Sequence, residues 1–173
     1  PRPSRDPNSP YFHTDWWGPF PEPGPKGERF IQVFVDDLSG YVFTYPSSTQ
    51  ASSSTNLVAL NAELKELLGP HAHVGKLQSD SATVFTDGQV AEYCRQAGIP
   101  QRFSAPYSQA QNGRAERFWR TMETLVTATM SYAGLPTKLW PYAVSNYTYT
   151  HNRSVSKDGT KTRYELFLGE APD

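Results

Sequence analysis

Two runs rich in β-branched and aromatic residues, 29–35 (RFIQVFV) and 41–45 (YVFTY), are separated only by DDLSG. A connection that short joins neighbouring antiparallel strands, because a parallel return needs a dozen or more residues. The chain is thereby committed to a sheet. After the hairpin the hydrophobic period changes. Leu57, Leu60, Leu64, Leu67 and Leu68 recur at helical spacing, and Gly69-Pro70 stops that helix. Residues 74–79 read as a strand. Val90, Ala91, Cys94 and Ala97 make a short amphipathic helix closed by Gly98, and 99–105 is a further strand. Upstream, an aromatic strand over 11–17 ends at Gly18-Pro19, and PFPEPGPKGE is too rich in proline and glycine to be anything but loop. Past the polar loop PYSQAQNG, a long helix runs from about 114 to 133 and is capped by Gly134. Pro136 begins another, to about 151, within which Pro141 marks either the true start or a kink. A last short element covers 164–168. The order predicts an α/β domain, a mixed five-stranded sheet flanked by helices.

The 173 residues suit one domain with a real core. Residues 1–10 hold four prolines and read as a linker from an absent upstream domain, leaving 11–173 as the folded unit. No run approaches the ~18 apolar residues of a membrane span, and PRPSRDPNSP is not a signal peptide. An intracellular, non-secreted protein is expected. Cys94 is the sole cysteine, which excludes an intrachain disulfide and a cysteine-based zinc site; it reads as a small buried hydrophobe. The net charge of −1 conceals an asymmetry. Residues 1–94 carry 6 Lys/Arg against 11 Asp/Glu, whereas 95–163 carry 10 against 3. Such a distribution can turn one basic surface toward phosphate on an otherwise neutral protein.

Three stretches carry chemistry: HTDWWGPF (13–20), LQSDSATVF (77–85) and SAPYSQAQNGRAER (104–117). Between Asp80 and Glu116 lie 35 residues. In this the chain resembles retroviral and retrotransposon integrase catalytic cores with their D,D-35-E signature, and is most similar to the Copia-like (Pseudoviridae) type. ERFWRT (116–121) resembles that family's ERxNRT, GLPTKLWPYAV (134–144) its L-P-x-x-x-W-x-x-A-V, and NRS…TRYELFLGEAPD (152–173) its NR…TPYE…G..P ending. The likeness runs from about residue 10 to the end of the chain.

The resemblance implies a ribonuclease H-like fold and a metal-dependent DNA polynucleotidyl transferase (endonuclease and strand transfer). It assigns Asp15, Asp80 and Glu116 as catalytic metal ligands, with Asp15 bridging two Mg²⁺ (or Mn²⁺) ions. DNA is the implied partner, a homo-oligomer the implied assembly, and the nucleus or a virus-like particle the implied location if the source is a eukaryotic retrotransposon. No small-molecule cofactor and no membrane are implied. The residue types suit the task, since hard cations prefer carboxylate oxygens and two ions can serve the attacking and leaving oxygens of a phosphodiester.

Ala115, Phe118, Trp119, Met122, Leu125, Val126, Thr129 and Met130 form one stripe at helical spacing, which would pack the Glu116 helix on the sheet. Arg120, one turn beyond Glu116, is expected to contact DNA phosphate, with Arg114, Arg117 and Asn112 as further DNA-binding candidates. Gly113 is expected to let the preceding loop close over substrate. His13 shares strand parity with Asp15 but reads equally as a packing histidine. Trp16 and Trp17 are expected in sheet packing. Ser81-Ala82 stands where the family usually has Asn-Gly, and Gln109-Ala110 where it usually has Pro-Gln, so both loops beside the site differ. Two other readings are a transposase of the same DDE superfamily and a domesticated, inactive copy serving as a DNA-binding or oligomerisation module.

Overall fold

Strand β1 (Tyr11–Trp17) is the hub of the sheet, whose order is β3-β2-β1-β4-β5. In the computed structural model residues 6–80, 88–103, 113–156 and 159–172 are described, and of Gly113, Arg114 and Glu116 the helical backbone alone. β2 (Phe30–Asp36) and β3 (Val42–Ser47) form the expected hairpin, and β2 pairs antiparallel with β1. Crossing helices make the other half parallel: β4 (Lys76–Ser79) lies beside β1, and β5 (Gln101–Phe103) beside β4. The mixed five-stranded sheet is as the sequence predicts.

Two differences at strand ends have local causes. β3 extends through Pro46, which pairs with Ile31. Proline is tolerated there because β3 is an edge strand. β4 begins at Lys76 rather than at 74, because the preceding amides are taken by other acceptors: Val74 N donates to Asn61 Oδ1 (2.7 Å) and Gly75 N to the Pro10 carbonyl (2.9 Å).

Alternation along the strands divides the core in two. On one face Phe12, Phe34, Phe43 and Leu77 pack with α1 (Ser53–Leu68), α2 (Gln89–Gln96) and the last helix. Cys94 is buried in this cluster, as expected. On the other face Ile31, Val33 and Val35 meet α3 (Gly113–Tyr132) and α4 (Trp140–Arg153). Pro141 sits in the first turn of α4 and marks its true start, since a short 3-10 turn, Thr137–Leu139, precedes it. α5 (Arg163–Leu168) opens with a reciprocal cap between Thr162 and Glu165 and ends at Gly169 in the left-handed conformation. Among the described residues no helix is long and apolar enough to cross a membrane.

The stripe on α3 is narrower than its pattern suggested. Ala115, Phe118, Trp119, Met122, Val126 and Met130 are buried, but Leu125 is 47% exposed and Thr129 is exposed. α4 covers only part of that helix, so a residue at the stripe's edge is left facing solvent.

Edge strand β3 is fixed to α4 by one amide side chain. Buried Asn152 accepts from Val42 N (2.9 Å) and donates to the Val42 carbonyl (2.8 Å). Asn152→Ala strands both groups, and with an unsatisfied buried group costing roughly 1–3 kcal/mol, a loss of about 2–4 kcal/mol is expected in urea unfolding. Asn152→Asp should not rescue the loss, because a carboxylate cannot donate to the Val42 carbonyl and would set a buried anion against it.

His151 adds a pH dependence. It lies against Phe118 (5.1 Å between ring centroids), and its Nε2 is 3.3 Å from the Gly40 carbonyl. Burial, and then the nearby Arg163, push its pKa down to about 4. The unfolded chain therefore binds a proton between the usual histidine value, about 6.5, and pH 4 that the folded chain does not, and stability falls as pH drops through that window. The contribution is on the order of 3 kcal/mol. Glu63, whose pKa burial raises, works in the opposite direction. The comparison that isolates His151 is urea unfolding of wild type and His151→Gln at pH 7 and pH 4.5, where the variant should lose less.

Candidate active site

Parallel pairing sets the site. Tyr11, Phe12 and His13 of β1 lie opposite Lys76, Leu77 and Gln78 of β4. The same offset carried two residues further would bring Asp15 level with Asp80, which directly follows the end of β4, while β1 itself continues to Trp17. Neighbouring strands are about 4.8 Å apart, close enough for both carboxylates to reach one ion.

Parity sets the face. Phe12 and Leu77, an in-register pair, share the α1 side, so His13, Asp15 and Gln78 belong to the α3 side. Asp15 pairs with Val33, which lies in the core cluster with α3. Two residues beyond Asp15, Trp17 meets Trp119 of α3 at 5.4 Å between ring centroids. Glu116 stands in the first turn of that helix, beside fully buried Ala115. The helix whose backbone includes Glu116 thus packs on the sheet face that carries Asp15.

Asp15 is partly buried, and its Oδ1 accepts from Trp16 N at 2.8 Å. Asp80 is exposed, directly after buried Ser79, whose hydroxyl donates to the Asp80 carbonyl at 3.0 Å. The rest of β1 is held from behind. Gln32 donates to Thr14 Oγ1 (3.2 Å) and accepts from Asn56 of α1 (2.9 Å), and Trp16 Nε1 donates to Ser53 Oγ (2.8 Å). Trp16 and Trp17 are half-buried sheet-packing residues, as expected. Gly18 ends the strand at φ +124°, and a Cβ there would lie 2.5 Å from the Arg29 carbonyl oxygen, so the turn requires glycine.

His13 resolves toward packing. It is buried, stacks on Tyr11 (5.0 Å) and meets Asp37 through Nε2 (2.9 Å). Asp37 was not foreseen as its partner, because the pair joins β1 to the far end of the hairpin. Gly113 is the first residue of α3, and the loop it was expected to let close lies outside the described residues. Arg117 and Arg120 are exposed on α3, and neither forms an ion pair with a described acid. Asn112, Ser81-Ala82 and Gln109-Ala110 lie outside the described residues, as do the side chains of Arg114 and Glu116. Among the described residues no group of three or more His, Cys, Asp or Glu is placed to hold a metal. Asp15 and Asp80 are hard oxygen donors, a type that suits Mg²⁺ or Mn²⁺ better than a soft metal.

The model of the integrase core domain family matches residues 8–109, a span that includes Asp15 and Asp80 and stops short of Glu116. The Pro-Pol polyprotein of simian foamy virus type 3 (strain LK3) is 30% identical over 158 residues, 91% of this chain and 13% of that polyprotein. The retrovirus-related Pol polyprotein from transposon TNT 1-94 of Nicotiana tabacum is 28% identical over 144 residues, 83% of this chain and 11% of its own length. The chain thus spans roughly an eighth of such relatives. Among solved structures, the simian T-cell lymphotropic virus intasome in complex with PP2A regulatory subunit B56 gamma aligns at TM-score 0.74 and 21% identity, covering 96% of this chain and 58% of that one. The HTLV-2 integrase catalytic core domain in complex with magnesium aligns at TM-score 0.67 and 19% identity, covering 92% and 96%. The fold is ribonuclease H-like, as these cores are.

Proposed function

The chain belongs to the integrase core domain family, and from that premise we propose that residues 11–173 are a metal-dependent catalytic core that processes and joins DNA ends. The observation that supports the reading is the parallel register of β1 and β4, which, carried past its last pair, brings Asp15 toward Asp80 on the side of the sheet that α3 covers. Asp15, Asp80 and Glu116 are the residues that would hold Mg²⁺ or Mn²⁺. Bound magnesium supplies Lewis-acid activation of the attacking oxygen and stabilises charge on the leaving one.

The protein's own part is positional. Asp15 and Asp80 are set by strand register, and Glu116 by a helix anchored through Ala115, Phe118 and Trp119. Three anionic groups at one point repel one another unless cations offset them, so the site prefers the metal-loaded state. Arg117 and Arg120, with Arg114 and Asn112, contact DNA phosphates and hold the scissile bond in line. In joining, the 3′-oxygen of a processed end forms the new bond to phosphorus, and the target strand's 3′-oxygen leaves with a proton. In end processing, water takes the place of that hydroxyl. Phosphate contacts orient without reading sequence, so target choice is weakly sequence-dependent.

The working form is a homo-oligomer, since two DNA ends have to be joined together. Solved forms of the HTLV-2 core described as trimeric and dimeric support that reading. The protein works inside the cell, in the nucleus or a virus-like particle.

The test is incubation with branched and blunt DNA in Mg²⁺ or Mn²⁺ beside Glu116→Gln. Metal-dependent nicking or joining by wild type alone is expected. Equal inertness of the two proteins, with DNA still shifted in a gel, would sink the catalytic reading and favour a DNA-binding module.

A further inference from the structure

A groove of about 1020 Å³ opens on the α3 side of the sheet, between α3, α4, the β2–β3 turn and the start of α5. Its described lining contains no aspartate or glutamate. It holds three arginines: Arg117 and Arg120 from the second turn of α3, and Arg163 from α5. Arg163 lies in the TRYELFLGEAPD stretch, outside the three segments that hold the predicted carboxylates.

Arg163 is built in rather than loosely displayed. Its Nη1 donates to the carbonyls of His151 (3.3 Å), Ser154 (3.1 Å) and Val155 (3.2 Å) and to Ser154 Oγ (3.0 Å). Carbonyl dipoles satisfy that nitrogen but do not neutralise the guanidinium, and no described carboxylate forms an ion pair with it. A partly buried cation is costly unless an anion meets it. Because the side chain is already ordered, meeting one costs little further entropy. Beside the arginines the groove is apolar. Leu38 is 41% and Leu125 47% exposed, and Leu166 lies with them. Free phosphate would have no use for that surface. A sugar–phosphate strand alternates anionic phosphate with apolar deoxyribose and uses both kinds of lining.

We propose that this groove is a DNA backbone track, in which Arg163, Arg117 and Arg120 take successive phosphates and Leu38 and Leu125 receive the sugars between them. The proposal rests on the reading of the chain as a DNA-joining core and adds a path for the strand. DNA leaving the carboxylate site runs along α3, past the turn after Glu116, toward the start of α5.

The test measures affinity for a short fluorescein-labelled DNA duplex by anisotropy across a salt series. Leu125→Glu places an anion in the groove at an exposed position, and Arg163→Gln removes the fixed cation. Val58→Glu, at a 49% exposed position of α1 beyond the opposite sheet face, makes the same charge change elsewhere. Leu125→Glu should bind about tenfold more weakly, with unchanged melting, and Arg163→Gln should lower the salt slope by about one. Val58→Glu should bind as wild type does. Wild-type affinity in Leu125→Glu, or an equal loss in Val58→Glu, overturns the groove while leaving the proposed function standing. If wild type itself fails to bind DNA, both fall.

Discussion

Asp80→Asn is expected to lower metal-dependent DNA nicking and joining by roughly a thousandfold or more. The change keeps the size and shape of the side chain and removes the charge a hard cation needs. Losing a ligand that contributes about 4 kcal/mol to the transition state corresponds to about three decades in rate. Because Asp80 is exposed, the fold should be untouched. Thermal unfolding should therefore match wild type, and DNA affinity should hold or rise slightly, since one negative charge near phosphate is gone. Asp15→Asn should lower the rates alike, because Asp15 is the second proposed ligand. Undiminished rates in Asp80→Asn would remove it from the site.

The largest effect on stability is expected at Phe12, on the face of β1 opposite Asp15. It is fully buried and meets Phe34 (6.4 Å), Phe43 (5.8 Å) and Phe167 (6.3 Å), which come from β2, β3 and α5. Phe12→Ala should cost about 3–5 kcal/mol, because three rings held by separate elements cannot all close on the space left. In urea unfolding this appears as a lower midpoint with an unchanged slope. It corresponds to a melting temperature lower by roughly 10 °C. Phe12→Leu, which retains most of the volume, should recover much of the loss. A cost below about 1 kcal/mol in Phe12→Ala would mean that the face repacks freely. Activity per folded molecule should change far less than in Asp80→Asn, since Phe12 faces away from the carboxylates.

The contrast between Phe12 and Asp15 also explains what could be read from the residues. Period-2 alternation told which residues of β1 share a face, and helical spacing told that α3 would present Ala115, Phe118 and Met122 together. Both are local properties, written within a few neighbours of each position. The level placement of Asp15 and Asp80 is not local. The HTDWWGP and SDSA stretches suggested the pair, but its register comes from three backbone pairings between segments about 65 residues apart. Asn152 was silent for a similar reason. An asparagine in a helix reads as a solvated or capping residue until a bare edge strand is put beside it. The tie between His13 and Asp37 and the position of Arg163 likewise arise where chain ends and turns meet. Where the pattern overreached, at Leu125 and Thr129, the cause was the limited width of the neighbouring helix. Gly113 joined α3 because glycine is permitted in a helix's first turn, so its presence before Arg114 did not by itself mark a loop.

The most direct test of the three-carboxylate centre is a Mn²⁺ titration of isotope-labelled protein followed by amide NMR, in wild type and in Asp80→Asn. At substoichiometric Mn²⁺, wild-type amide signals from Asp15, Trp16, Asp80 and Glu116 should broaden first, with weaker effects on β3 and on the far end of α3. In Asp80→Asn that focus should require much more Mn²⁺. Broadening centred elsewhere, or the same focus at the same Mn²⁺ concentration in the variant, would contradict a metal site built on these residues.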